Sequence, residues 1–240
     1  MGLSGARIVT DTQDLPASID TLTIETGDVP MSVRLITDPE ATKTRISLRI
    51  ITRSDTQLNI ADHDSGESRV TLSHAGDGFL GFRGKGEIEV VLPPALARRL
   101  SVTVNQRAGS LTSEATLDRL VATIDNGAAT VGGAARVVNL NIRHGDVNTS
   151  DEFVVSESFE ARTESGSISV RFRQAPRIAE ATAEGNVTMQ LPDSNRYRVR
   201  AGSAAPGRAP LVTVRQTSDR NAPEVIARSE NGRVEVTQLP

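Results

Sequence analysis

The 240 residues exceed a typical single domain but lie within reach of one large β domain, and a net charge of −3 leaves no polycationic face for nucleic acid. Aromatic residues make up only 2% of the chain, which argues against a base-stacking platform or an aromatic sugar cleft, and the lack of cysteine excludes disulfides, thiolate metal sites and cysteine nucleophiles. No run approaches the roughly 18 consecutive apolar residues of a spanning helix, and the start lacks a signal-peptide pattern.

Taken in chain order, residues 32 to 60 contain Val33-Arg34-Leu35-Ile36 and a longer alternating run from Arg45 to Thr52, joined by a turn at Asp38-Pro39. Residues 68 to 92 contain Arg69-Val70-Thr71-Leu72 and Glu87-Ile88-Glu89-Val90-Val91-Leu92, joined by a glycine-rich loop. Period-two alternation makes these strands, and their length predicts antiparallel excursions that widen or cap the first coils. Pro93 to Arg99 has room for one helical turn.

A glycine-centred repeat organises most of the chain. Aligned on glycine, the sequence reads Thr26-Gly27-Asp28-Val29, Ala108-Gly109-Ser110-Leu111, Asn126-Gly127-Ala128-Ala129, His144-Gly145-Asp146-Val147, Ser165-Gly166-Ser167-Ile168, Glu184-Gly185-Asn186-Val187 and Asn231-Gly232-Arg233-Val234. Seven residues before the glycine, six of the seven repeats carry an apolar residue: Val102, Leu120, Val138, Phe159, Ile178 and Val225. The central glycine spacings are 18, 18, 21 and 19 residues. Each unit is a strand, a turn on glycine and a second strand.

Such units fit either an antiparallel barrel or sandwich of hairpins or a solenoid of stacked coils. The thin core of Val, Ile, Leu and Ala favours an all-β chain folded as a right-handed parallel β-solenoid of about 18–21 residues per coil. The expected organisation is continuous: N-terminal coils with antiparallel excursions over 1–95, regular repeats over 96–192, and a C-terminal excursion with a capping repeat over 193–240. A test lies two residues before the glycine, where successive repeats carry Arg107, Asp125, Arg143 and Glu164. Stacked coils predict one ladder of alternating charge; hairpins would scatter these side chains around a rim.

The order Glu87-Ile88-Glu89-Val90-Val91-Leu92-Pro93-Pro94, followed by apolar-x-apolar-x-x-x-Gly-x-Val repeats, resembles the bacterial putative-adhesin family. Thr26-Gly27-Asp28-Val29 and Met189-Gln190-Leu191-Pro192 extend the resemblance to roughly residues 19 to 238. The resemblance implies a solenoid-like head of unassigned function in the cell envelope, often with an N-terminal membrane helix, in some members within envelope-stress systems, and no catalytic residues that carry over.

Candidate chemistry is sparse. Gly76-x-Gly78-x-x-Gly81 matches a dinucleotide fingerprint as a string, but a strand rather than a helix follows it, so it reads as a hairpin tip. That tip places Phe79, Leu80 and Phe82 beside Arg83 and Lys85, an apolar and basic combination suited to contact with a membrane interface or a partner groove. Asp62-His63-Asp64, His74 and His144 read as solvated or structural, without metal-ligand spacing. Asp125 and Glu164 would stand two coils apart, as in an inverting glycosidase, but Arg143 between them is the opposite of what a general acid needs.

The sequence therefore predicts a non-enzymatic, extracytoplasmic interaction or scaffolding module of the bacterial envelope, with no cofactor or metal. Its expected partner is an envelope component or a membrane protein, not nucleic acid. A sensor head of an envelope-stress pathway is the alternative, and a polysaccharide-acting enzyme comes third. A monomer is expected, anchored by a segment outside this chain, with a cytoplasmic setting as the alternative localisation.

Overall fold

The structure, a computed structural model, describes residues 7–16, 18–52, 56–63, 66–74 and 86–239. Its strands are, in chain order, β1 (Arg7–Asp14), β2 (Thr21–Glu25), β3 (Met31–Thr37), β4 (Arg45–Thr52), β5 (Thr56–His63), β6 (Glu67–His74) and β7 (Gly86–Leu92). After the single helical turn α1 (Pro94–Ala97) come β8 (Ser101–Ser113), β9 (Thr116–Val131), β10 (Ala134–His144), β11 (Val147–Thr149), β12 (Val154–Ser165) and β13 (Ile168–Arg171). The chain closes with β14 (Ile178–Ala183), β15 (Val187–Leu191), β16 (Arg198–Ser203), β17 (Leu211–Val212), β18 (Glu224–Ser229) and β19 (Val234–Gln238).

These strands form one open, mostly parallel sheet bent into two faces. Along the first face, β8, β9, β10, β12 and β14 pair in parallel and in sequence order. Along the second, the later half of β9 pairs with β11, β11 with β13, and β13 with β15, again in parallel. β8 and β9 run continuously through the bend, which is why both faces belong to one hydrogen-bonded network.

Alternation in sequence becomes alternation in burial. In β7 and β8 every second side chain enters the space between the faces. Val102, Leu120, Val138, Phe159, Ala179 and Val225 form one core column, each at most 1% exposed. Burial of each Val or Leu in such a column contributes about 1.5–3 kcal/mol. Strand register slips by one residue at β14: Ala179, not Ile178, stands over Phe159, and Ile178 turns outward at 46% exposed. The wider 21-residue spacing is filled by Phe153, Phe159 and Phe172, whose rings pack with centroids 5.1–5.8 Å apart.

At the bend the glycines stack. A Cβ on Gly127 would lie 1.6 Å from the carbonyl oxygen of Gly109, and one on Gly145 would lie 1.6 Å from that of Gly127. The column continues through Gly166, Gly185 and Gly232, each against the backbone of the layer before it. Gly27 lies outside this column: Met31 stands opposite Gly109, and Gly27 occupies an open turn at φ +57°.

Both ends depart from the order expected. β6 and β7 are parallel to β2 and β3, not antiparallel to them, so these two strands form a further layer. β2 lies between β6 and β8, and β3 between β7 and β8. The antiparallel strands at this end are β5 on β6, and β4 on β7 with β1 on β4. At the C-terminal end the expected excursion is also a parallel layer. β16 pairs with β18 and β17 with β19, while β18 and β19 pair on their other sides with β14 and β15. The final repeat is thus inserted beneath β16 and β17 instead of capping the stack.

Candidate functional site

Phe79, Leu80, Phe82, Arg83 and Lys85, the contact loop expected from sequence, lie outside the described residues, as does Asp64. The charge column beside the glycines is within them. Arg143 Nη1 lies 3.6 Å from Asp125 Oδ1, and its Nε lies 3.6 Å from Glu164 Oε2. Arg107 is the register neighbour of Asp125 but pairs across the turn with Asp28. The column is therefore continuous from Asp125 to Glu164, and Arg107 belongs to a separate pair. Exposed pairs of this kind contribute only ~0–1 kcal/mol each.

A second charged row, not recognised from the sequence, runs along the start of the first-face strands. It comprises Asp118, Arg136, Glu157 and Arg177, one from each of β9, β10, β12 and the approach to β14. Nine residues before the glycine was the signal: it gives Asp118, Arg136 and Glu157, and the one-residue slip at β14 moves Arg177 to eight. Arg136 lies where the β10–β12 register shifts, opposite an extra residue of β12, and its guanidinium reaches carboxylates on both neighbouring strands. Its Nε and Nη2 donate to the two carboxylate oxygens of Asp118 at 2.7 and 2.9 Å, and Nη1 donates to Glu157. This hydrogen bonding holds the Asp118 carboxyl below its usual range and raises Arg136 further.

The alternation stops at Arg177. The next layer offers Pro223 at that place, and Arg177 has no carboxylate partner among the described residues. Around it lies a cleft of about 500 Å³ that includes Ser158, Arg198, Arg220, Asn221 and Glu224. Glu224 is only 16% exposed and is shared by Arg198 and by Arg200, the latter at 3.0 Å. Arg198 Nε is buried without a hydrogen-bond partner, and Arg220 has no ion pair among the described residues. The cleft thus gathers unspent N–H donors whose nearby carboxylates are already engaged. Over residues 193–240, eight arginines face five carboxylates, although the whole chain is acidic. Guanidinium groups in this arrangement suit carboxylate or phosphate oxygens.

Among the described residues no group of three or more His, Asp or Glu side chains could hold a metal ion, and no helix is long and apolar enough to cross a membrane. His144 is exposed at the end of β10.

Solved structures described as putative adhesins are similar to this chain over nearly its whole length. One from Bacteroides fragilis is 12% identical and covers 97% of both chains at a TM-score of 0.48. A putative cell adhesion protein from Clostridium sporogenes is 11% identical, covering 97% of this chain and 100% of its own, at 0.42. A putative lipid binding protein from Parabacteroides distasonis is 12% identical, covering 96% and 97%, at 0.44. No family model and no curated protein matches the sequence.

Proposed function

We propose that this chain is a non-enzymatic interaction and scaffolding module of the bacterial cell envelope, acting outside the cytoplasm. Its parallel layers are read as coils of a right-handed β-solenoid, the hand that twisted strands favour in parallel crossovers. The partner proposed for the cleft at Arg177 and Arg220 is an anionic envelope polymer. The observation that carries this reading is the charged row that ends on Arg177 without a carboxylate, beside Arg220 and the unpartnered Nε of Arg198. An anionic group docked there would continue the alternation already built by Asp118, Arg136 and Glu157.

The test is co-sedimentation of the purified chain with peptidoglycan–polysaccharide and, separately, with lipid vesicles, beside the Arg177→Gln/Arg220→Gln double variant. Retention by the polysaccharide fraction that falls with added salt and is lost in the double variant is the expected result. Retention unaffected by the double variant would remove the cleft from the proposal. Retention by neither fraction would shift the weight to the sensor alternative, with a protein partner.

A further inference from the structure

At the C-terminal end of the stack the outermost strand of the first face is β16, which pairs with a strand on one side only, β18, among the described residues. The bonds at its two ends show which backbone groups remain open. Arg198 N–H donates to the Pro223 carbonyl and Ala204 N–H to that of Ser229, so the even-numbered residues of β16 direct their N–H and C=O groups to β18. Tyr197 bonds on the other side: its N–H donates to the Arg215 carbonyl and its own carbonyl accepts from Thr217 N–H, both at 2.9 Å. Gln216 thereby makes a single parallel bridge to Tyr197. Beyond it, the edge-directed groups of Val199, Ala201 and Ser203 meet no further strand among the described residues. A row of unpaired N–H and C=O groups is a template for another strand.

The side chains of β16 indicate what such a strand carries. Toward solvent stand Arg198 and Arg200, which share the single carboxylate of Glu224, and Arg200 is 65% exposed. Gly202 follows them, and nothing lies within 4 Å of where its Cβ would be, which leaves a gap beside the exposed Arg228 of β18. Toward the core stand Val199 and Ala201, packed against it but only part-buried. The chain already contains a strand that meets such a pattern. In β7, Glu87-Ile88-Glu89-Val90 runs parallel to β3, with Ile88 and Val90 buried and Glu89 3.9 Å from its register neighbour Arg34.

We propose that the open edge of β16 binds an extended segment of a partner protein in which acidic and apolar residues alternate, added parallel to β16. Its backbone pairs with Val199, Ala201 and Ser203, its apolar side chains cover Val199 and Ala201, and its carboxylates face Arg200 and Arg228. This surface goes beyond the anionic-polymer reading and makes no use of Arg177 or Arg220.

The probe is the peptide acetyl-Val-Glu-Val-Glu-Val-Glu-amide, titrated into the full chain and followed by amide shifts in two-dimensional NMR. One control carries lysine in place of each glutamate. The other, acetyl-Val-Val-Val-Glu-Glu-Glu-amide, has the same composition without the alternation. Saturable binding of the alternating acidic peptide is expected, with shifts centred on residues 198–204 and weaker binding of both controls. Ala201→Pro removes an edge-directed N–H that β18 does not use, and should weaken binding about tenfold, the upper end for one lost hydrogen bond. Arg200→Gln, at the surface, should weaken it about two- to fivefold, and decides the matter if Ala201→Pro disturbs the fold by circular dichroism. No binding of the alternating peptide overturns the proposal, as does equal binding of the peptide without alternation. Binding that neither variant weakens overturns it too. Shifts centred on residues 177 and 220–223 would place the carboxylates in the arginine cleft and also overturn it.

Discussion

Gly127→Ala is the sharpest probe of the stack. The added Cβ would lie 1.6 Å from the Gly109 carbonyl oxygen, whereas ordinary contact begins near 3.4 Å, so the two layers must separate by about 1.8 Å at that point. Paired strands are held about 4.8 Å apart by their hydrogen bonds. An opening of that size breaks the flanking N–H···O=C bonds, each contributing about 1 kcal/mol net and more when the groups stay buried. The side chain also meets a backbone at φ +154°, sterically poor for an L residue. Together these predict a loss of about 3–6 kcal/mol, at the upper end of single substitutions. Two controls isolate the cause. Gly27→Ala has positive φ but nothing within 4 Å, and should cost about 1–2 kcal/mol. Gly202→Ala, in open space without positive φ, should be neutral or slightly stabilising. Urea unfolding followed by circular dichroism measures all three. If Gly127→Ala costs no more than Gly27→Ala, the layers are not in the close backbone contact described.

Two further predictions concern titration. Because the Arg136 hydrogen bonds depress the Asp118 pKa in the folded state, their stabilisation is present above the unfolded carboxylate value and is lost as pH falls through the folded one. In Arg136→Gln, an NMR titration should find the Asp118 carboxyl back near its ordinary range. Tyr197 is buried and its hydroxyl donates to the Pro192 carbonyl at 2.6 Å; burial raises its pKa, so its contribution is complete below the unfolded tyrosine value and declines as pH rises beyond it. Tyr197→Phe leaves that carbonyl unpaired and should cost about 1–3 kcal/mol in denaturant unfolding, while weakening the alkaline loss of stability.

The regular part of the fold was legible because two signals agree there. Period-two alternation marks strands, and glycine at intervals of 18–21 residues marks the bend where successive backbones touch. The ladder at Asp125, Arg143 and Glu164 follows from the same spacing. Direction of pairing at the ends was not legible, because β6, β7 and β16 show an alternation that serves parallel and antiparallel partners equally. The slip from Ile178 to Ala179 was hidden by two adjacent apolar residues, either of which fills a core position in sequence. Gly27 misled for a different reason: it makes a turn, but the two extra residues of that layer place Met31 opposite Gly109. The row ending on Arg177 carried its signal nine residues from the glycine, then lost it at the same slip.

The interleaved ends bear directly on the arginine cleft. In a simple stack the last repeat laid down is outermost and has one neighbour, so it can open alone. Here β18 and β19 are held on both sides, and Leu239 N–H still donates to the Leu191 carbonyl close to the end of the chain. β16 and β17 form the outer layer as part of a loop anchored inward at both its ends, through β15 and β18. This order puts Pro223 and Glu224 between the layers of Arg177 and Arg198, separating those layers by about 9–10 Å at ordinary strand spacing. Glu224 then engages Arg198 and Arg200, while Pro223 gives Arg177 nothing to pair with. The cations in the cleft are thus set by which segment fills the inner slot. The insertion that pairs β18 and β19 on both sides also leaves the charged row open.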